Sequence, residues 1–174
     1  MHTENANIGE LKSPKETRKY ELTKNKTIVK GVTVYQIRAL KDFSDVKKGD
    51  LGGYVSHERN LPQDDNSWIY DNATVFGNSF ISGNATIHEY AIVGDNAIVS
   101  DDAIIGGNAE ILEAARVYER AIVGDNARVS GNAHVRRTAR IADYAQIKDY
   151  TLVSGNYIIG GHSIVSDDTE LVDE

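Results

Sequence analysis

Beyond residue 67 the apolar and polar positions repeat with a period of six. From Trp68 the chain divides without insertion into blocks such as WIYDNA, TVFGNS, FISGNA and TIHEYA, and AIVGDNA stands at both 91–97 and 121–127. The second place is Ile, Val or Leu in all eighteen blocks, and the sixth is Ala, Ser or Thr in sixteen of the seventeen complete ones, Tyr157 being the exception. Six is neither the 3.6 of a helix nor the simple two of a long strand. Within each Ala-x-Val the small and branched residues are two apart, so they share one side of an extended strand. Pairs such as Gly-Asn, Asp-Asn and Asp-Asp separate these strands, and Gly and Asn tolerate the left-handed backbone of a sharp corner. A short strand and a corner repeated in this way predict a coil, and three sides close a triangle of eighteen residues.

Folded at eighteen, the second places form three columns. They are Ile69, Ile87, Ile105, Val123, Ile141 and Ile159; then Val75, Val93, Ile111, Val129, Ile147 and Val165; then Ile81, Val99, Val117, Val135, Val153 and Leu171. These side chains are expected to fill the axis, each contributing roughly 1.5–3 kcal/mol on burial. At the parallel-strand spacing of about 4.8 Å, six coils make a prism roughly 29 Å tall. The small sixth place lets each corner close, so the large Tyr157 is expected to point outward or distort its coil.

This pattern resembles the hexapeptide-repeat proteins, whose solenoid is the left-handed parallel β-helix, over residues 68–174. The expected fold is all-β: a three-sided left-handed β-helix of about six coils with a small N-terminal β cap. Handedness comes from the resemblance, since general crossover physics favours the right hand. The resemblance also implies enzymes that are mostly acyltransferases and usually trimers with active sites between subunits. Fold alone does not settle activity.

Residues 19–66 read differently. TIVKGVTVYQIRAL carries β-branched residues on both sides of Lys30-Gly31 and predicts a hairpin. KKGDLGGYVS reads as a Gly-rich turn before Tyr54-Val55, and the polar HERNLPQDDNS leads into Trp68. Repeat solenoids need a cover over their first coil, and this segment is expected to supply it. YQIRALKDF, LGGYVS, ERNL and SWIYDNA together resemble a narrower group of uncharacterised hexapeptide-repeat proteins of bacteria and their phages, labelled transferases or polymer-forming proteins by repeat alone. Three segments result: an arm at 1–18, a hairpin, cap and connection at 19–66, and the β-helix at 67–174.

Charge changes the picture. The net charge is −7, but residues 1–66 carry 12 Lys/Arg against 10 Asp/Glu, whereas 67–174 carry 7 against 16. So acidic a body argues against general nucleic-acid binding. With no cysteine there is neither a disulfide framework nor a thiolate zinc site. The first residues lack the apolar core of a secretory signal, and no run of about 18 apolar residues exists, so no membrane span and a cytoplasmic location are expected.

The candidate general bases are His88, His134 and His162, the first two at outward strand places and the third at a corner. The acyltransferases that the repeats resemble add an extruded loop, a His base at the subunit boundary and a helical or acceptor-binding segment. Here the repeats run on without an extruded loop to Glu174, and no helix is expected after them. The resembling zinc enzymes use three His, two of them close in sequence, whereas these three are 46 and 28 apart, so no metal site is expected.

Outward places eighteen apart stack, which puts Arg116 against His134 and Tyr118 against Arg136, with Arg137 adjacent. Arginine presents paired donors to phosphate or carboxylate, so these five residues form a candidate site for an anion or acidic protein. The alternative is a solvated face whose arginines neutralise nearby acids such as Glu119. Apolar outward residues (Phe80, Ile92, Ile98, Ile104, Ile122, Leu152, Ile158 and Ile164) and a first outward column running Trp68, Thr86, Ile104, Ile122, Arg140, Ile158 suggest self-association, with a trimer implied by the resemblance. Four acids among the last seven residues discourage end-to-end stacking. The reading favoured is a non-catalytic scaffold or binding protein without a cofactor, expected to be phage-encoded and to act by binding or sequestering a host component. The alternative is an acyltransferase using acyl-CoA and one of the three His residues in a cleft between subunits.

Overall fold

A corner every six residues governs the backbone. The computed structural model describes residues 17–173; the segment expected to form an arm at 1–18 lies almost wholly outside the described residues. From Trp68–Ile69 to Glu170–Val172 there are eighteen short strands, one per block. Each strand before the last coil pairs in parallel with the strand eighteen residues on, as in Trp68↔Thr86 and Ile104↔Ile122. Three parallel sheets result, forming a three-sided solenoid consistent with the left-handed β-helix. We call the faces headed by Trp68, Thr74 and Phe80 the first, second and third. Amides of one coil donate to carbonyls of the next, as in Ile104 N–H to Ala121 O at 3.0 Å. The second places face the axis: all are buried from Ile69 through Ile159, while Val165 and Leu171 are half-buried in the last coil.

At the corners one expectation needs correcting. Asn was expected to take the left-handed conformation, yet the residue that takes it is the fourth place of the block, where Asn never stands. All seventeen fourth places from Asp71 to Asp167 have positive φ, between +52° and +74° except Gly155 at +132°. Six are Gly, ten are Asp or Glu, and one is Arg137. A left-handed backbone costs a residue with a Cβ about 1–2 kcal/mol. The acids offset this by accepting the N–H of the next fourth place along the column. Asp95 accepts from Glu113 at 2.9 Å and Glu113 from Gly131 at 2.5 Å, while Asp125 accepts from Asp143 at 3.1 Å and Asp143 from Gly161 at 2.7 Å. Asn instead occupies the fifth place and stacks amide on amide, as in Asn78 on Asn96 and Asn108 on Asn126.

Tyr157 distorts its coil, as its size requires. It is half-buried against the core, and the corner before it opens into a longer strand, Leu152–Gly155, that pairs with His134–Arg137.

The N-terminal segment is continuous with the prism. β1 (Tyr20–Val29) and β2 (Val32–Ala39) form the expected hairpin, with Lys30 at φ +47° and Gly31 at +80°. β3 (Leu51–Val55) is antiparallel to β2 and parallel to Thr74–Val75, adding a seventh rung to the second face and making a nine-stranded sheet. The glycines of LGGYV therefore lie inside a strand and not in a turn. They are needed because the strand presses on the first coil: a Cβ on Gly52 would meet Ile37, Trp68 and the Ile69 carbonyl at 2.7 Å, and one on Gly53 the Ala73 carbonyl at 2.4 Å.

Trp68, expected at the head of an outward column, is instead 1% exposed beneath this cover, edge-on to Tyr20 and Phe43. Asn60 Nδ2 donates to the Ser79 carbonyl at 2.8 Å and so ties the connection to the first coil. The hairpin curls over the second face, burying Val34 against Phe76 and Leu112 with Ile92 alongside, and Lys30 Nζ pairs with Glu110 at 2.7 Å. Ile92 is thus covered by the chain itself and is not a free apolar position.

One buried cation fastens the cover. Lys19 Nζ contacts Asp65 Oδ1 at 2.9 Å and the Ser67 carbonyl at 2.9 Å, and lies 5.5 Å from the Phe43 ring centre. Burial pushes its pKa down, against the opposing pull of Asp65. Asp65 also accepts from Ser67 Oγ and from the Gly83 amide, so it serves the first corner as the fourth-place acids serve later ones.

Two stability outcomes are expected from urea titration. Lys19→Met removes the cation from a half-buried Asp65 and lowers stability by about 2 kcal/mol. Asp143→Ala loses both the tolerated left-handed residue and the acceptor for Gly161, costing about 2 kcal/mol, whereas Asp143→Asn keeps an acceptor and costs less than half as much.

Candidate binding site

The third face carries the candidate patch on its middle coils, and its geometry follows from register. Arg116 pairs with His134 across neighbouring strands, about 4.8 Å apart, and Arg136 is two residues along the strand from His134. Tyr118 stands under Arg136, eighteen residues earlier, and its Oη is 3.5 Å from His134 Nδ1 with the rings edge to face. Arg136 Nε donates to Ser154 Oγ at 3.0 Å. Leu152 lies against His134 on the following strand. Four of the five predicted residues are therefore mutual neighbours.

Arg137 behaves differently. It takes the left-handed corner, and its guanidinium donates to the Asp173 carbonyl at 3.2 Å, with the Asp173 carboxylate at 4.0 Å. Among the described residues neither Arg116 nor Arg136 forms an ion pair, whereas Arg128 pairs with Glu110. Glu119, the acid suggested as a neutralising neighbour, donates its own amide to Asp101 at the corner. His134 is half-buried, and its pKa is pushed below the ordinary imidazole value, first by burial and then by Arg116 and Arg136. At neutral pH it is an uncharged ring between two guanidinium groups.

The three histidines do not converge. His88 follows a strand of the first face, His134 lies in the third face, and His162 stands at a corner two coils beyond His134's strand. Each has a tyrosine partner. His88 stacks on Tyr70 at 4.5 Å, and Tyr70 Oη donates to Asp45 at 2.6 Å. Burial lowers the His88 pKa despite Asp71, Glu89 and Asp45 nearby, and raises that of Tyr70 together with Asp45. His162 stacks on Tyr144 at 5.0 Å. Both stacked pairs are eighteen residues apart, so the register could have shown them.

A shallow groove of about 420 Å³ runs beside the Tyr144–His162 stack, with Asn108, Asn126, Glu110 and Arg128 among its lining residues. The sequence offered no sign of it beyond the column of Asn. On the first and second faces, Ile104 is 42% exposed, Ile158 78% and Ile164 59%. Among the described residues no three His, Cys, Asp or Glu gather as a metal site, and no helix is long and apolar enough to cross a membrane.

Comparison with known proteins adds little about chemistry. No family model matches the chain. A segment of 42 residues is 48% identical to an Escherichia coli (strain K12) protein named "Uncharacterized acetyltransferase YdcK". That segment is 24% of this chain and 13% of the relative, so the chain spans only a small part of the relative's length. In repeat, in register and in its three parallel sheets, the chain is a three-sided parallel β-solenoid consistent with the hexapeptide-repeat β-helix.

Proposed function

We propose that the protein is a non-catalytic β-helical scaffold that binds an acidic partner or an anionic group through Arg116, Tyr118, His134 and Arg136. The observation that carries this reading is that, among the described residues, no carboxylate pairs with Arg116 or Arg136, although the prism sequence has 16 acids against 7 Lys/Arg. Eleven of those acids stand at fourth places, from Asp71 to Asp173, where the corners engage most of them. They are therefore poorly placed to neutralise a strand-centre arginine. Two adjacent guanidinium groups present paired donors, Tyr118 adds a hydroxyl, and a parallel-sheet face holds all of them in fixed register.

A second reading keeps the acyltransferase alternative. It is favoured by the relative's name and by the groove beside His162, which has Tyr144 and Arg128 in its wall. On this reading acetyl-CoA would be the donor and His162 the base, in a cleft completed by a second copy.

One pair of measurements separates the two. Capture from a cell lysate is run in parallel with the wild type and with Arg116→Glu/Arg136→Glu. The scaffold reading expects species retained by the wild type and lost from the variant, whose unfolding free energy in urea falls by about 1 kcal/mol through loss of the Arg136–Ser154 hydrogen bond. A variant that keeps every captured species overturns it. For the second reading, acetyl-CoA should raise the melting temperature of the wild type but not of His162→Ala; an unchanged wild-type midpoint at millimolar acetyl-CoA removes the enzyme reading.

A further inference from the structure

The patch has an internal arrangement that goes beyond attraction between opposite charges, and the following step rests on the binding reading above. We propose that His134 takes up a proton when a small oxyanion bridges Arg116 and Arg136, so that the patch binds phosphate-type or carboxylate groups more tightly as the pH falls.

The argument begins with the neighbours of the ring. On its own strand His134 has Arg136, followed by Arg137, which is turned toward Asp173. The preceding strand contributes Arg116 and Tyr118, with Glu119 at the corner beyond. The following strand contributes Leu152 and Ser154, neither of them charged. Glu170 comes in the same column one rung further, beyond Leu152. The charges bearing on the ring are thus those of Arg116 and Arg136, and both oppose its protonation.

An oxyanion held between the two guanidinium groups reverses this balance. It cancels the charge that opposes protonation and offers oxygen acceptors to an imidazolium N–H. Tyr118 Oη, 3.5 Å from Nδ1, suits either state, since a hydroxyl donates to a bare ring nitrogen and accepts from a protonated one. The sign follows from linkage. In the free site burial and the two arginines lower the affinity of His134 for a proton, and a bound oxyanion raises it. Binding therefore takes up protons wherever the pH lies between the free and bound values, and affinity there rises by as much as about tenfold per unit of acidification. Above that window the site binds with the arginines alone.

Isothermal titration of the full chain provides the test, with sulfate as the phosphate-type probe and acetate as the carboxylate probe. Neither titrates appreciably between about pH 6 and pH 8. The expected result is binding about three- to tenfold tighter near pH 6 than near pH 8, with proton uptake between zero and one read from buffers of different ionisation enthalpy. His134→Gln should still bind near pH 8 but lose the pH dependence and the uptake, while Arg116→Ser/Arg136→Ser should lose binding at both values. The preferred probe identifies the ligand source: sulfate a phosphoryl group, acetate an acidic side chain. Binding without proton uptake, or uptake that persists in His134→Gln, overturns the proton linkage and leaves the binding reading standing. Absence of binding by both probes at both pH values overturns the two together.

Discussion

Turning the chain through three corners in eighteen residues forces one residue per block into a conformation that L-amino acids avoid, and the rest of the structure is arranged around that constraint. Glycine meets it without a Cβ, as at Gly131 and Gly161. Aspartate and glutamate meet it by another route, since most of their carboxylates receive the amide that the next corner leaves outside the sheet ladder. The backbone ladder joins strands through amides such as Ile104 and carbonyls such as Ala121, while the amides of corners such as Asp143 and Gly161 turn to the carboxylates instead. A corner acid therefore serves as both a conformational solution and a hydrogen-bond acceptor for the coil beyond it. Most of the prism's negative charge is accounted for in this way, as architecture and not as a signal about partners.

The second place was legible because burial leaves a compositional mark that nothing else imitates: an unbroken run of Ile, Val and Leu at one phase. The stacking of Arg116 on His134, and of Tyr118 beneath Arg136, was legible for the same reason, since a fixed period of eighteen turns sequence spacing directly into spatial neighbours. What failed to show was anything set by the non-repeating segment. Trp68 and Ile92 both stand at outward phases of the repeat, and the phase is correct; they are covered because the hairpin and β3 fold back over the first coil and the second face. A one-dimensional pattern states which side of a strand a residue faces, but not which distant element comes to lie on that side. The glycines of LGGYV were read as a turn for a related reason. Composition reports that a Cβ is excluded, and only packing reveals that a neighbouring backbone excludes it.

The candidate site was legible in membership but not in condition. Its five residues could be named from register, yet the decisive fact is which of them are already engaged. Arg137 is tied to Asp173, two rungs further along, a contact made possible by the opened corner around Gly155 and Tyr157. Among the described residues Arg116 and Arg136 remain without carboxylates, and of the acids along this edge Asp101 and Asp173 are engaged by corner amides. The three histidines illustrate the same limit. Each looks like a candidate base in isolation, but their places in the coil keep them apart, and each is next to a tyrosine ring that accounts for much of its environment.

The position of the patch follows from where the corner rule lapses. Along the third edge of the prism the fourth places run Gly83, Asp101, Glu119, Arg137, Gly155, Asp173. Arg137 is the single cation among the seventeen left-handed corners from Asp71 to Asp167, and no acid follows it in the column before Asp173. A guanidinium cannot accept an amide, so the carboxylate ladder is interrupted there, and with it the negative potential that borders the face elsewhere. All seven Lys and Arg of the prism fall between Arg116 and Lys148, on the coils flanking this break. Exposed charges more than about 8–10 Å apart are largely screened at physiological ionic strength, so an anion at Arg116 and Arg136 is governed by these coils and not by the acidic body as a whole. A rigid solenoid with anionic corners can thus present a cationic window only where it gives up a corner acid, and Arg137 marks that place.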